Sequence, residues 1–197
     1  MRQRLEKGLV QVYTGDGKGK TTASLGLALR AAGHELRVYI IQFMKGVSYS
    51  GELLSIPRLA PYITVKSFGR GCPNAAAIRG GFAKCSGCGS CFIKPGETTE
   101  EDKKTSQMAW QLAQDVVKSD EYDLVILDEV INALHYDLIT VEDIKDLIGE
   151  KPELVEMVMT GRDVPEEIIE VADLVSEVKM VKHPFEQGIA SRWGIEY

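Results

Sequence analysis

The stretch Thr14-Gly15-Asp16-Gly17-Lys18-Gly19-Lys20-Thr21-Thr22 limits what this chain can become more than any other. It follows a short β-rich run, Leu9 to Tyr13. It precedes residues 21–32, where Leu25, Ala28, Leu29 and Ala32 recur at helical spacing. A glycine-rich turn from strand into helix lets backbone N–H groups converge on an anion, and the helix N-terminus adds positive potential. Gly19-Lys20-Thr21 fits the end of the phosphate-loop pattern G-x-x-x-x-G-K-[ST], with Thr14 in place of the leading glycine. Lys20 is expected to reach phosphate oxygens and the Thr21 hydroxyl to ligate Mg²⁺. Such turns also occur without ligands, but Lys18 and Lys20 beside three glycines weigh against that.

The remaining pattern alternates strands and helices. Strands are expected at Leu36 to Phe43, more weakly at Tyr62 to Lys66, then at Asp123 to Glu129, Glu153 to Thr160 and 174–181. Helices are expected at 99–119, with Ala109, Leu112, Ala113 and Val116 on one face, and at 165–172. Gly33 is expected to end the first helix in a left-handed conformation, and Glu100 to pair with Lys104. Alternation of this kind implies an α/β fold with a mostly parallel sheet and helices on both faces. The apolar strand Leu124 to Leu127 closes on Asp128-Glu129, the acidic strand end that supplies a carboxylate for Mg²⁺. Alone, such a pair is as often a solvated strand end. With the phosphate loop upstream, nucleotide binding is the firmer reading, and both motifs fall at strand C-termini, where open α/β sheets bind ligands.

Composition sets the outer bounds. A chain of 197 residues fits a single domain, 1–197, and its charge of 23 − 29 = −6 argues against nonspecific nucleic-acid binding. No apolar run is long enough for a bilayer. Met1-Arg2-Gln3-Arg4-Leu5-Glu6-Lys7-Gly8 is basic but lacks the apolar core of a signal peptide, so a cytoplasmic protein is expected. The four cysteines, Cys72, Cys85, Cys88 and Cys91, crowd into a glycine-rich loop or insertion at about 69–98 with no sustained periodicity. A cytosolic cluster points to metal or redox chemistry rather than to a disulfide scaffold. The spacing C-x12-C-x2-C-x2-C suits a [4Fe–4S] cluster. Zinc, and thiols that stay free or pair on oxidation, are the alternatives.

The phosphate loop as it stands resembles that of the ATP:corrinoid adenosyltransferases of the CobA/CobO/BtuR type. The resemblance continues through Arg30-Ala31-Ala32-Gly33-His34, Gln42-Phe43-Met44-Lys45-Gly46, Leu127-Asp128-Glu129 and Thr160-Gly161-Arg162. It extends to Ala172-Asp173-Leu174-Val175-Ser176-Glu177, Val181-Lys182-His183-Pro184-Phe185 and Gly194-Ile195-Glu196-Tyr197. It thus covers most of the chain outside residues 47–120.

What it implies is a P-loop NTPase-type (RecA-like) fold and an unusual reaction. A Co(I) corrinoid attacks C5′ of the ATP ribose, the adenosyl group moves to cobalt, and triphosphate leaves. Lys20, Thr21 and Glu129 would then be catalytic, with Asp128 the alternative metal carboxylate. Residues 14–22, with Arg30 and Arg162, would hold ATP, and Gln42 and Lys45 join a second tier. The implied set also includes Mg²⁺, a homodimeric state, and a flavoprotein or ferredoxin electron donor. For Arg30 the plainer reading is a helix C-terminal cation, for Arg162 a surface ion pair. His183 gets no role.

One departure stands out. After Gly69-Arg70-Gly71 the family carries an aromatic Phe-x-Trp segment that packs under the corrinoid, and here those positions are Cys72 and Asn74. Phe82 and Phe92 are the nearby aromatics that could substitute. The cysteine site is expected to lie near the corrinoid, either relaying an electron to cobalt or ordering the loop. Two other functions fit parts of the sequence. A type II thymidine kinase joins a P-loop to four cysteines, though there the cysteines follow the acidic strand. An ATP-dependent iron–sulfur carrier leaves the C-terminal matches unexplained.

Overall fold

The computed structural model describes residues 4–46, 48–94 and 96–197. Met1 to Gln3, part of the basic start, lie outside them. The chain runs β1 (Val10–Thr14), α1 (Lys20–Gly33), β2 (Val38–Gln42), α2 (Gly51–Ser55), a 3-10 turn (Ile56–Leu59) and β3 (Ile63–Ser67). It continues with α3 (Ala75–Arg79), α4 (Glu100–Lys118), β4 (Leu124–Asp128), α5 (Val130–His135) and α6 (Val141–Glu150). β5 (Glu156–Thr160), α7 (Glu166–Ile169), β6 (Leu174–Glu177) and a 3-10 turn (Pro184–Gln187) complete it. The strands form one sheet in the order β3-β2-β4-β5-β1-β6, and every pairing is parallel.

β4 is buried at all five positions, as a central parallel strand covered on both faces must be. Its alternate residues divide between two cores. Leu124 and Ile126 join Val38, Ile40 and Val158 under Ala28, Ala31 and Ala32 of α1. Val125 and Leu127 join Ile41, Met157 and Met159 under Ala109, Trp110, Ala113 and Val117 of α4, with Ile144 and Leu147 of α6. Small residues on α1 let that helix lie close to the sheet, which brings its N-terminus over the strand ends.

Several local expectations change. Gly33 remains inside α1, and the left-handed residue that ends the turn is Glu35, at φ 60°. Glu100 pairs with Lys103 at 2.8 Å rather than with Lys104. α5 and α6 carry no counterpart in the sequence reading. For α6 the signal was there: Thr140 and Asp143 form a reciprocal capping box ahead of an apolar stripe. The expected structureless loop at 69–98 contains α3.

Candidate nucleotide and cysteine sites

Parallel pairing places the C-terminal ends of β2, β4, β5 and β1 side by side, so four separate sequence segments share one pole. Gln42 sits opposite Asp128, and Tyr13 opposite Thr160. The phosphate loop leaves β1 beneath the backbone that follows β6, where the Gly17 N–H donates to the Val178 carbonyl at 2.7 Å. A Cβ on Gly17 would lie 2.6 Å from that carbonyl oxygen, so only glycine lets the loop approach this backbone so closely. Gly19 enters the helix at φ 127°, a conformation other residues rarely adopt.

Lys20 is buried, and its ammonium donates to the carbonyls of Gly15 at 2.6 Å and Gly17 at 2.9 Å. The lysine thus braces the loop from within. Burial, and then the Arg162 guanidinium, hold its pKa below the usual lysine value. Asp128 is the hub. Its Oδ1 accepts the Thr21 hydroxyl at 2.8 Å, across 107 residues of sequence, and the Thr160 hydroxyl at 2.8 Å. Its Oδ2 accepts the Lys45 ammonium at 2.6 Å and the Gln42 amide at 3.4 Å. Lys45 also donates to the Thr21 hydroxyl oxygen at 3.2 Å and lies 3.8 Å from Glu129. Burial pulls the Lys45 ammonium down, but Asp128 and Glu129 outweigh it and leave its pKa raised.

Glu129 adopts a left-handed backbone, φ 63°, and its N–H donates to the Thr160 hydroxyl at 2.9 Å. Its carboxylate accepts the Asn132 amide, one turn on. Burial raises the Glu129 pKa, Lys45 opposes this, and Asp128 adds to it. Thr21, Asp128 and Glu129 supply the hard oxygen donors that Mg²⁺ requires. The Lys45 ammonium against both carboxylates marks this as a place where positive charge is favourable. The donor set fits Mg²⁺, with Lys45 yielding part of its hold on Asp128.

The other expected residues divide. Arg162 stands at this pole: its N–H donates to the Asn132 side chain at 2.7 Å, and its charge reaches Lys20 and Glu129. Thr22 is exposed at the start of α1, Asp16 accepts the Met180 N–H at 3.0 Å, and Lys18 lies 4.0 Å from Glu196. Thr14 is buried, and its hydroxyl accepts the Val164 N–H at 3.4 Å. Arg30 is not brought here. It occupies the last turn of α1, ten residues beyond Lys20, roughly 15 Å along the axis. His183 caps a turn by accepting the Phe185 N–H at 3.1 Å. The sequence reading missed Thr160 and Asn132. Thr160 had a signal, since it ends an apolar strand as Asp128 does.

The cysteine loop is anchored at its neck. Arg70 makes a two-pronged contact with Asp102, at 2.9 and 2.6 Å, and also donates to the Glu97 carbonyl at 2.8 Å. Beyond that neck Cys85 and Cys88 are exposed, and Cys72 and Cys91 are half-buried. The thiols share a neighbourhood. Burial raises the Cys91 pKa, and charge on Cys72, Cys85 and Cys88 raises it further. Hydrogen bonds from Ser90 lower that of Cys88. The Gly87 N–H points at the Cys85 sulfur at 3.5 Å, and Gly87 and Gly89 take φ of 68° and 76°, the backbone of a sulfur-enclosing turn. Among the described residues no three His, Cys, Asp or Glu side chains are near enough to hold a metal as they stand. Phe82 and Phe92 are 91% and 68% exposed, so neither fills the place of a buried aromatic. No helix is long and apolar enough to cross a membrane among the described residues.

A family profile described as ATP:corrinoid adenosyltransferase BtuR/CobO/CobP matches residues 6–197. A corrinoid adenosyltransferase from a Sinorhizobium species is 36% identical over 193 residues, covering 98% of this chain and 81% of that protein. One from Escherichia coli K12 is 32% identical, covering 98% and 87%. Among solved structures, EssC (ATPases 2 and 3) from Geobacillus thermodenitrificans shows a TM-score of 0.45 and 13% identity over 96% of this chain and 35% of that one.

Proposed function

Since the chain belongs to the ATP:corrinoid adenosyltransferase family, we propose how its own residues carry that reaction. The protein transfers the 5′-deoxyadenosyl group of ATP to a corrinoid. In the chemistry this implies, the Co(I) lone pair forms the Co–C5′ bond, the C5′–O bond breaks, and its electron pair leaves with triphosphate. The nucleophile belongs to the substrate. The protein must bind the nucleotide, aim C5′ and stabilise the charge that builds on the leaving oxygen.

The observation that carries the assignment is the meeting of the Thr21 hydroxyl and the Asp128 carboxylate at 2.8 Å beside Lys45 and Glu129. Residues 14–22 receive the triphosphate, with the α1 N-terminus behind them. Lys20 braces the loop and meets the developing charge, and Arg162 approaches from the β5 side. Thr21 with Glu129, or with Asp128, holds Mg²⁺, which neutralises leaving-group charge when bound. Lys45 is placed to take up triphosphate oxygens as its hold on Asp128 is released. Cys72, Cys85, Cys88 and Cys91 hold a [4Fe–4S] cluster, with zinc the alternative metal. Their soft thiolates and the sulfur-directed turn at Gly87 support a metal there. A homodimer, and a flavoprotein or ferredoxin that reduces the corrinoid, complete the proposal on family resemblance.

The test is anaerobic incubation with MgATP and chemically reduced cobalamin, followed by product analysis. Equimolar Co–C product and triphosphate support the assignment; ADP or orthophosphate as the matching product defeats it. Iron, zinc and acid-labile sulfide on protein purified without oxygen decide the metal.

A further inference from the structure

The two lysines at the nucleotide pole are held in different ways. Lys20 directs its ammonium at two uncharged partners, the carbonyls of Gly15 and Gly17. Lys45 sits against charge. Its ammonium donates to Asp128 Oδ2 at 2.6 Å and to the Thr21 hydroxyl oxygen at 3.2 Å, and lies 3.8 Å from Glu129 Oε1. It thus engages oxygens of the same three residues that would hold Mg²⁺. The backbone around Lys45 is pinned: the Phe43 N–H donates to the Asp128 carbonyl at 2.8 Å, and the Gly46 N–H to the Arg70 carbonyl at 3.2 Å. The side chain itself is 34% exposed, so it has room to swing while its backbone stays in place.

We propose that Lys45 is a built-in counter-ion that makes divalent-cation binding at Thr21, Asp128 and Glu129 conditional on nucleotide. The inference rests on the reading above that residues 14–22 receive the triphosphate and that these three residues hold Mg²⁺. Without nucleotide, an incoming cation must displace the ammonium from its ion pair or stand beside it against like-charge repulsion. Mg²⁺ also gives up its water reluctantly, so oxygens already engaged by a lysine are a poor exchange for it. A triphosphate changes both sides of that balance. Its oxygens give the ammonium a more highly charged partner, which frees Asp128 and Thr21, and they add ligands of their own to the cation. Nucleotide and cation therefore strengthen each other's binding, and the coupling is reciprocal. Lys45 is a positioning residue in this scheme: it keeps the empty site closed to free divalent cations and opens it to the cation that accompanies ATP.

The experiment uses Mn²⁺ in place of Mg²⁺, with free Mn²⁺ counted by electron paramagnetic resonance, and compares wild type with Lys45→Met. Without nucleotide, the variant is expected to bind Mn²⁺ about tenfold or more tightly than wild type, within the range of such couplings. For ATP in excess EDTA the order reverses, the variant binding about fivefold or more weakly because the triphosphate has lost a cation. A merely structural lysine would weaken both, so unchanged or weaker Mn²⁺ binding by the folded variant overturns the proposal. Lys45→Gln, which removes the charge but keeps a donor for Asp128, should show the same two shifts and carries the test if Lys45→Met does not fold. Adding Asp128→Asn to either variant should abolish the gain in Mn²⁺ affinity; a gain that survives places the cation elsewhere and also overturns the proposal. A wild type that binds ATP neither with Mg²⁺ nor without it instead defeats the functional reading on which the proposal rests.

Discussion

At the nucleotide pole, Asp128 has four side-chain donors from α1, β2, β5 and the segment after β2, and the strand beneath it is buried throughout. In the cysteine loop the potential metal-binding groups are tied to the sheet through a neck at Arg70 and Asp102, and two of the four thiols are exposed. The first region holds its donors in place by packing before any ligand arrives. The second brings its sulfurs into one neighbourhood and leaves their final geometry to what they bind. Rigid placement suits a reaction that depends on aiming a carbon at cobalt. Ligand-driven ordering suits a metal whose binding energy also orders the loop.

This contrast can be tested from either side. Ile126→Ala should remove about 2–5 kcal/mol of stability, because a fully buried side chain leaves a cavity that the sheet cannot collapse around. Phe82→Ala, on the exposed loop, should stay within about 0.5 kcal/mol in the same denaturant titration. A large loss at Phe82 would mean that the loop packs against something in solution. Lys20→Ala should lower kcat by about 10²–10³, roughly 2.7–4 kcal/mol of barrier, while the metal and sulfide content stays as in wild type. Loss of metal in that variant would join the two regions more tightly than described.

Asp102→Asn should cost about 1.5–3 kcal/mol, since it removes hydrogen bonds to a charged partner at the neck. The Arg70 guanidinium, above all, holds the Asp102 pKa down to about 2. A carboxyl depressed on folding stabilises the protein fully above its unfolded pKa of about 3.9, and that stability drains away as pH falls toward 2. Wild type should therefore lose stability between pH 4 and 2 more steeply than the Asn variant, by acid titration of unfolding. Parallel curves would deny the neck its electrostatic role. A smaller effect falls on the cobalt chemistry: Cys88→Ser should slow reaction starting from Co(II) by about tenfold, near 1.4 kcal/mol, and change reaction from prereduced Co(I) little. Equal losses from both leave the thiols a structural part only.

The nucleotide pole was legible because its chemistry is written in contiguous motifs. Residues 14–22, Asp128-Glu129 and Thr160-Gly161-Arg162 each end a strand, and parallel pairing brings such ends together. What the sequence did not disclose depends on three-dimensional proximity alone. Nothing near Lys45 signals that its ammonium bridges Asp128 and Thr21. Nothing near Tyr49 announces the Tyr197 ring that meets it edge-on. Arg30 misled for a related reason: it is close to Lys20 in sequence, yet the rise of a straight helix carries it away from the pole. α5, six residues without a side-chain cap, is too short to build a helical stripe, whereas Thr140 and Asp143 spell the start of α6.

The neck at Arg70 and Asp102 bears on how such a chain changes over evolutionary time. Once two chain points are held together, the entropy of closing the ring between them grows only with the logarithm of its length, about 0.6 kcal/mol per doubling. Residues 71–97 can therefore be lengthened, shortened or rewritten with little strain on the sheet, provided the two anchors and the buried Ala75, Ile78 and Ile93 persist. A stretch that carries four thiols is the kind of variation that this architecture permits. Arg70 and Asp102 act as the socket of an interchangeable tool, and the strand ends beside it as the fixed bench on which different tools work.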